Sequence, residues 1–285
     1  MTDRYAVVGN PIGHSKSPLI HAEFARQTGQ DLSYEALLAP LDGFVATIEH
    51  FFAAGGKGLN VTVPFKQEAW RFATPNISVR AAVAQAVNTL KLDASGQIFG
   101  DNTDGLGLVR DLMVNLNFPL KGKRILLMGA GGAARGVLLP LLLEQPSDLV
   151  VANRTPQKAR DVIELINDHL PVAQFNGFDK AATHMTASNY DDLNQKFDLV
   201  INATSASLSD ALPPLPEGVF APDSLAYDMM YGKGLTPFLE FARQQGAARL
   251  ADGLGMLVEQ AAESFFLWRG ARPDTAPVIE LLKSR

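Results

Sequence analysis

Lys66 closes Leu59-Asn-Val-Thr-Val-Pro-Phe-Lys66, the most pointed run of this chain outside its glycine-rich turn. Alternation with a period of two puts Leu59, Val61 and Val63 on one face of a strand, and the hydrogen-bonding Asn60 and Thr62 on the other. Pro64 then ends the strand and opens a helix, which leaves Lys66 in its first turn. A solvated lysine is the plainer reading. The positive end of a helix dipole disfavours a cation, however, and that conflict makes Lys66 a candidate functional residue. A second polar knot is Gly100-Asp-Asn-Thr-Asp-Gly105, which lacks the ligand alternation and distal Glu of an EF-hand, so calcium is set aside. Turn and capping chemistry accounts for it, with Asp104 standing as an acid at the expected junction between domains. The third is Gly9-Asn-Pro-Ile-Gly-His-Ser-Lys-Ser-Pro18, a loop that leaves the first strand and opens a helix. Ser17 before Pro18 reads as the cap, whereas Ser15 needs no such role; two hydroxyls at a helix start also suit a carboxylate.

A fourth segment, Arg124-Ile-Leu-Leu-Met-Gly-Ala-Gly-Gly-Ala-Ala-Arg135, carries an apolar strand straight into Gly129, Gly131 and Ala134. That is the G-x-G-x-x-G/A spacing of a dinucleotide-binding turn. Gly129 allows the tight turn, Gly131 lets the backbone approach a pyrophosphate, and small Ala134 lets helix and strand pack closely. An ordinary glycine-rich turn is the alternative, and the next strand, Asp148 to Ala152, decides against it. An NAD site places Asp or Glu after that strand, about 20 residues beyond the glycines, to bind the ribose hydroxyls. Here Asn153-Arg154-Thr155 follows instead, with Lys158 on the next helix, so two cations stand where a 2′-phosphate would sit. The cofactor expected is therefore NADP rather than NAD. Thr155-Pro156 serves equally as an N-cap and first-turn proline.

The elements that position these groups alternate along the chain, short apolar strands with helical stretches, which predicts an α/β protein with parallel sheets. Strands are expected at Tyr5–Val8, Ser33–Leu38, Gly58–Val63, Thr89–Leu92, Ile98–Gly100, Arg124–Met128, Leu149–Ala152, Leu199–Asn202 and Leu225–Met229. Helical patterns fall near Pro18–Thr28, Leu41–Ala53, Pro64–Ala73, Gly105–Asn115, Ala133–Glu144, Pro156–His169 and Thr236–Gln245, and a final helix spans Gly255–Trp268. That last helix is apolar almost all round, as befits one wedged between layers. A hairpin is expected at Asp93-Ala-Ser-Gly96. Pro140 inside an apolar helix predicts a kink.

The 285 residues suffice for two domains of ordinary size. A hydrophobic content of 47% with 19% charged residues fits a compact fold without long disordered tails. The net charge of -5 argues against a nucleic-acid partner. There is no cysteine, which removes disulfides, thiolate nucleophiles and Cys-containing zinc sites. The first residues lack the pattern of an export signal, and the longest greasy run, Val137 to Leu143, is too short to span a bilayer. The expectation is a soluble cytoplasmic protein, a monomer or homodimer, without a resident metal.

These motifs together, in this order, resemble the shikimate dehydrogenase family. The likeness runs the whole length: the Ser15-Lys-Ser17 loop, Asn60-Val-Thr-Val-Pro-Phe-Lys66, Ala86-Val-Asn-Thr89, Asp101-Asn-Thr-Asp-Gly105 and Gly129-Ala-Gly-Gly-Ala133 carry its first half. Asn153-Arg-Thr155, Asn202-Ala-Thr-Ser205, Tyr227-Asp-Met229 and Asp252-Gly-Leu-Gly-Met-Leu257 carry the second. Ala206 departs from the small residue, often Ser or Gly, that many relatives have there.

The resemblance implies two α/β domains, a substrate domain (1–103 plus 253–285) and a Rossmann-like NADP domain (104–252), with a cleft between them. It implies that Ser15, Ser17, Asn60, Thr62, Asn88, Asp104, Tyr231 and Gln260 surround shikimate, with the serines and Tyr231 near its carboxylate. Lys66 and Asp104 would be catalytic, flanking the reacting hydroxyl with Lys66 as proton carrier. The glycine turn Gly129, Ala130, Gly131, Gly132, Ala133 and the residues Asn153, Arg154, Thr155 and Lys158 would hold NADP, and Thr204, Met229 and Gly253 would lie along its nicotinamide half. The activity implied is NADP-linked reduction of 3-dehydroshikimate to shikimate in aromatic amino acid biosynthesis. Rivals are a quinate/shikimate dehydrogenase using NAD, a shikimate-binding regulator without turnover, and another two-domain dehydrogenase such as a methylenetetrahydrofolate enzyme.

Overall fold

The structure, a computed structural model, describes residues 2–93, 95–169, 182–204 and 215–284; Ser205 and Ala206 lie outside the described residues. In chain order the first elements are β1 (Asp3–Gly9), α1 (Ser17–Thr28), β2 (Leu32–Leu38), α2 (Phe44–Ala53), β3 (Gly56–Val61) and α3 (Lys66–Ala73). Next come α4 (Val79–Ala84), β4 (Thr89–Leu92), β5 (Ile98–Asp101), α5 (Asp104–Arg110) and a π-helical turn (Asp111–Asn115). Then follow β6 (Arg124–Met128), α6 (Gly132–Leu143), β7 (Asp148–Ala152), α7 (Pro156–His169), β8 (His184–Ser188) and β9 (Phe197–Asn202). The last are β10 (Phe220–Asp228), α8 (Pro237–Gln244), β11 (Arg249–Asp252), α9 (Leu254–Arg269) and α10 (Ala276–Lys283). Packing divides the chain into unit 1, Met1–Gly107 with Leu257–Arg285, and unit 2, Leu108–Met256.

Unit 1 holds a five-stranded sheet of order β2-β1-β3-β4-β5. β1 runs parallel to β2 and β3, as the alternation of strands and helices predicts, but β4 is antiparallel to both β3 and β5. The reason is local. β4 and β5 are joined by the expected hairpin, in which Gly96 sits at φ +81° and Asp93 Oδ1 accepts from the Ser95 and Gln97 amides. A connection that short joins only antiparallel strands. Ala6, Val8, Phe44, Ile48, Leu59, Val61, Phe65 and Leu90 form the core under this sheet, with Phe44 and Phe65 stacked at 4.8 Å. Each of these side chains larger than alanine stabilises the unit by about 1.5–3 kcal/mol. On the other face Trp268 of α9 lies against β3: a Cβ on Gly58 would fall 2.4 Å from its indole nitrogen, which donates to Leu90 O at 3.0 Å. α9 thus reaches the strands that carry Asn60 and Thr89.

Unit 2 is a six-stranded, all-parallel sheet of order β11-β10-β9-β6-β7-β8. Counted within the unit and read from its other edge, the order is 3-2-1-4-5-6, that of a doubly wound dinucleotide fold, whose ligands bind beyond the carboxyl ends of the strands where the order reverses. Leu126, Met128, Val150, Ala152, Val200, Ala226 and Phe238 make its core. α6 runs on through Pro140 without ending. The expected helix Gly105–Asn115 breaks into α5 and the π-helical turn, where Asp111, 3% exposed, accepts from Tyr227 Oη at 2.6 Å and from Asn115 Nδ2 at 2.9 Å. Among the described residues no helix is long and apolar enough to cross a membrane.

Candidate active site

Lys66 is the first residue of α3 and Asp104 the first of α5. The strand before Lys66 ends at Val61 rather than Val63, and Val63 is exposed, so Thr62 to Phe65 form a turn that feeds the helix. Phe65 anchors this turn in the core, and Lys66 O accepts from Val87 N at 2.8 Å. Lys66 Nζ lies 2.6 Å from Asp104 Oδ2, with the lysine side chain 33% exposed and the aspartate 12%. The ammonium, unfavourable at a helix start, is thereby offset by a carboxylate that itself sits where a helix dipole favours it. Asp104 also accepts from Asn88 Nδ2 on Oδ1 at 2.7 Å, and its own amide donates to Asn102 Oδ1 at 3.1 Å.

Asn88 is the hub of the site. Its Oδ1 accepts from Thr103 N at 2.9 Å, so its Nδ2 faces Asp104, with Gln260 Oε1 at 3.4 Å. Gln260 approaches α5 because Gly107 has no side chain: a Cβ there would stand 2.7 Å from Gln260 Cβ. Asn60, 6% exposed, turns inward: Oδ1 accepts from Tyr34 Oη at 2.7 Å, and Nδ2 faces Ser264 Oγ at 3.0 Å and Thr89 Oγ1 at 3.2 Å. Thr62, by contrast, is half-buried, and its hydroxyl makes no hydrogen bond with the described residues.

The capping expectation at the first loop is reversed. α1 begins at Ser17 itself, Lys16 holds the N-cap position without a side-chain bond, and Ser15 Oγ accepts the Ser17 amide at 3.3 Å. Pro18 in the first turn shifts the start of the helix one residue forward, so the hydroxyl two positions before the first helical amide does the capping. Ser15, Ser17, Asn60, Thr62, Lys66, Asn88, Asp104 and Gln260 all belong to unit 1. Tyr231, expected beside them, belongs to unit 2, where burial pushes its phenol above its ordinary pKa.

In unit 2 the residues expected around the cofactor stand at the carboxyl ends of strands. Gly129 follows β6 at φ +103°, and a Cβ there would meet Ala203 O at 3.1 Å. Gly131 is the N-cap of α6, Gly132 and Ala133 start that helix, and all three are exposed, with Ala130 half-buried before them. A Cβ on Gly131 or Gly132 would meet nothing within 4 Å. Ala134 is fully buried against the sheet. An open space over the first amides of a helix fits a pyrophosphate.

Beyond β7, Asn153 Nδ2 donates to Thr155 O at 3.0 Å and shapes the turn, while Arg154 and Lys158 are exposed. Neither forms an ion pair with a described residue. Burial pushes the Tyr190 phenol up to about 12, and nearby Arg154 opposes that rise. Thr204 follows β9, its amide and hydroxyl both bound to Asn202 Oδ1. Met229 follows β10, and Gly253 follows β11 with room for hydrogen only, since a Cβ would fall 2.2 Å from Met229 O. No group of metal-ligating side chains occurs among the described residues.

Tyr34, Thr89, Thr103 and Ser264 escape a reading of the sequence as site residues. Each supports Asn88 directly or through Asn60. The one available signal is a hydroxyl among buried apolar neighbours, as with Ser264 beside Ala261 and Phe265 in α9.

Three family models match separate stretches of the chain. A model for "Shikimate dehydrogenase substrate binding domain" matches residues 7–90, one for "Shikimate / quinate 5-dehydrogenase" matches 113–209, and one for "Shikimate 5'-dehydrogenase C-terminal domain" matches 253–283. The NADP(+) shikimate dehydrogenase of Nitrosospira multiformis is 63% identical over 285 residues, 100% of this chain and 98% of that protein. That of Dechloromonas aromatica is 61% identical, over 100% of this chain and 99% of that one. A crystal structure of shikimate 5-dehydrogenase from Thermus thermophilus in complex with NADP(H) and shikimate superposes with a TM-score of 0.82 at 32% identity, covering 98% of each chain. From its first strand to its last helix, the chain belongs to the shikimate dehydrogenase family.

Proposed function

We propose that this chain catalyses the reversible NADP-linked reduction of 3-dehydroshikimate to shikimate, the step its relatives are named for in the route to the aromatic amino acids. The observation that carries the reading is the contact of Lys66 with Asp104, two groups 38 residues apart in sequence. NADP, when bound, supplies the hydride acceptor or donor. The protein must then move a proton to or from the same carbinol oxygen, which the cofactor cannot do. Lys66 is that proton carrier, and its charge also stabilises the oxyanion that develops. Asp104 aligns the ammonium and accepts a hydrogen bond from the substrate.

Ser15 and Ser17 at the start of α1, with Tyr231, hold the carboxylate of shikimate, and Thr62, Asn88 and Gln260 bind its hydroxyls. Unit 2 binds NADP: the α6 amides take the pyrophosphate, Arg154 and Lys158 take the 2′-phosphate, and Thr204, Met229 and Gly253 border the nicotinamide. In the proposed division, residues 1–103 with 253–285 form the substrate domain and 104–252 the NADP domain, with Asp104 and Tyr231 of the second serving the substrate and Gly253 of the first the nicotinamide. The enzyme works in the cytoplasm as a monomer or homodimer, without a nucleic-acid partner.

The test is nicotinamide absorbance at neutral pH with shikimate or quinate, each paired with NADP or NAD. A strong signal for shikimate with NADP is expected. A signal in none of the four pairs would leave a non-catalytic binder, and one confined to NAD would overturn the assignment of Arg154.

A further inference from the structure

Asp104 owes its place to a chain of hydrogen bonds that runs through the interior of unit 1 and includes three hydroxyls with no part in the reaction proposed above. Tyr34 Oη donates to Asn60 Oδ1 at 2.7 Å. That fixes the Asn60 amide, whose Nδ2 must then face Thr89 Oγ1 at 3.2 Å and Ser264 Oγ at 3.0 Å. Thr89 Oγ1 and Ser264 Oγ are themselves 2.7 Å apart. Thr89 Oγ1, which accepts from Asn60 Nδ2, gives its own single proton to Asn88 Oδ1, 2.9 Å away. Asn88 Oδ1 also accepts the Thr103 amide, so Nδ2 is left to donate to Asp104 Oδ1 at 2.7 Å. Four of these bonds run the same way, Tyr34 to Asn60, Asn60 to Thr89, Thr89 to Asn88 and Asn88 to the Asp104 carboxylate.

Such a chain is strengthened by its own alignment, and it is costly to interrupt because its middle is dry. Thr89 and Ser264 are fully buried and Asn88 is 2% exposed. A buried hydroxyl in a strand adds nothing to packing that valine would not supply, since the two side chains have the same shape. Its use here is directional.

We infer that Thr89 is a positioning residue for Asp104: held by Asn60 and Ser264, its hydroxyl sets the side-chain amide of Asn88 so that N–H rather than C=O faces the carboxylate that aligns Lys66. Without that donor the Asn88 oxygen keeps only the amide and hydroxyl of Thr103, at 2.9 and 3.2 Å, so the side-chain amide is held less firmly, and an amide oxygen brought against Asp104 would repel it. Asn60, in this arrangement, acts through Thr89 and has neither end of its amide free for the substrate. The inference rests on the proposed reaction for its kinetic effect and on the geometry alone for its effect on Asn88.

The experiment uses the full chain with Thr89→Val, Thr89→Ser and Tyr34→Phe, each alone, and with Thr89→Val added to Asn88→Ala. Thr89→Val is expected to lower kcat with shikimate about tenfold or more, the equivalent of one hydrogen bond, while the KM for NADP stays within about twofold. Thr89→Ser restores kcat to within about threefold, which a purely steric role would not produce. In the Asn88→Ala background Thr89→Val costs nothing further, because the group it acts through is gone. An unchanged kcat in Thr89→Val, no rescue by Thr89→Ser, or additive losses in the double variant would each overturn the inference.

Should Thr89→Val fold poorly, Tyr34→Phe interrupts the same chain at its origin, and an undiminished kcat there overturns it as well. A readout independent of turnover is the 15N-resolved side-chain amide of Asn88, identified by its loss in Asn88→Ala. It is expected to shift in Thr89→Val and return in Thr89→Ser, and an unmoved signal counts against the inference. Wild-type protein inactive on shikimate with these amide shifts present would sink the proposed reaction and leave the positioning of Asn88 intact.

Discussion

Lys66 and Asp104 each occupy the first position of a helix, α3 and α5, and meet at 2.6 Å, so a cation at the wrong end of one dipole is held by an anion at the right end of another. Replacing Lys66 with Met removes the proposed proton carrier while keeping the length of its stem. The expected result is a fall in kcat of about 10²–10⁴ with the dissociation constant for shikimate little changed. Steady-state kinetics paired with equilibrium binding decides it: weakened binding at undiminished kcat would remove Lys66 from the chemistry.

Arg154 and Lys158 follow β7 with no acid between them and the strand. Arg154→Ala should raise the KM for NADP about ten- to a hundredfold, the range of a charge-assisted hydrogen bond, and leave that for NAD within about twofold. Comparing the two cofactors at one shikimate concentration is the measurement. Equal losses would show that Arg154 does not read the extra phosphate.

The two glycines of the turn should fail in different ways. Gly129 adopts φ +103° with Ala203 O close by, so Gly129→Ala is expected to lower thermal stability, whereas a methyl on Gly131 meets nothing within 4 Å. Gly131→Ala should therefore fold normally and lose NADP affinity. A melting scan and a fluorescence titration of NADPH separate the cases, and unimpaired NADPH binding by Gly131→Ala would count against the cradle.

His21 gives unit 1 a dependence on acid. It is fully buried and stacked on Tyr34 at 4.2 Å, and burial holds its pKa down at about 3 against a smaller upward pull from Asn60. The unfolded chain takes up a proton there near pH 6.5 and the folded one does not until about pH 3. Stability is therefore fully present above pH 6.5 and falls as the pH drops toward 3, by about 1.4 kcal/mol per unit. Urea unfolding at several pH values, wild type against His21→Gln, isolates this share from that of the carboxylates. Parallel curves for the two proteins would refute it.

Asp111 and Gly255 supply a steric prediction. A Cβ on Gly255 would fall 2.0 Å from Asp111 Oδ1, and that carboxylate is already fixed by Tyr227 and Asn115. Gly255→Ala should destabilise the protein more than Tyr227→Phe, which removes a single donor worth about 1–3 kcal/mol. Denaturant midpoints give the order, and the reverse order would mean that the π-helical turn yields easily.

What could be read from the sequence was local in the chain. The turn from β6 to α6 and the cations after β7 declare themselves within a few residues of each other, because a phosphate contact needs backbone freedom and charge at fixed offsets. β8 (His184–Ser188) and β11 (Arg249–Asp252) were not legible, since both are edge strands, short and half polar, without the apolar run that marks an interior strand. The antiparallel direction of β4 is a property of its hairpin rather than of its own composition. Ser15 taking the capping role from Ser17 depends on where Pro18 starts the helix, a matter of one residue. Least legible was the support of Asn88: Thr89 and Ser264 are 175 residues apart, and no pattern in either segment points to the other.

Unit 2 is one uninterrupted stretch of chain, whereas unit 1 is completed by its C-terminal segment. On a ribosome unit 2 can therefore close while the strands bearing Asn60 and Thr89 still lack Ser264, which emerges last of the three. The Asp104 carboxylate is thus seated only after unit 2 has been made, and a product truncated before Ser264 would carry unit 2 with the hydrogen bonds behind Asn88 unfinished.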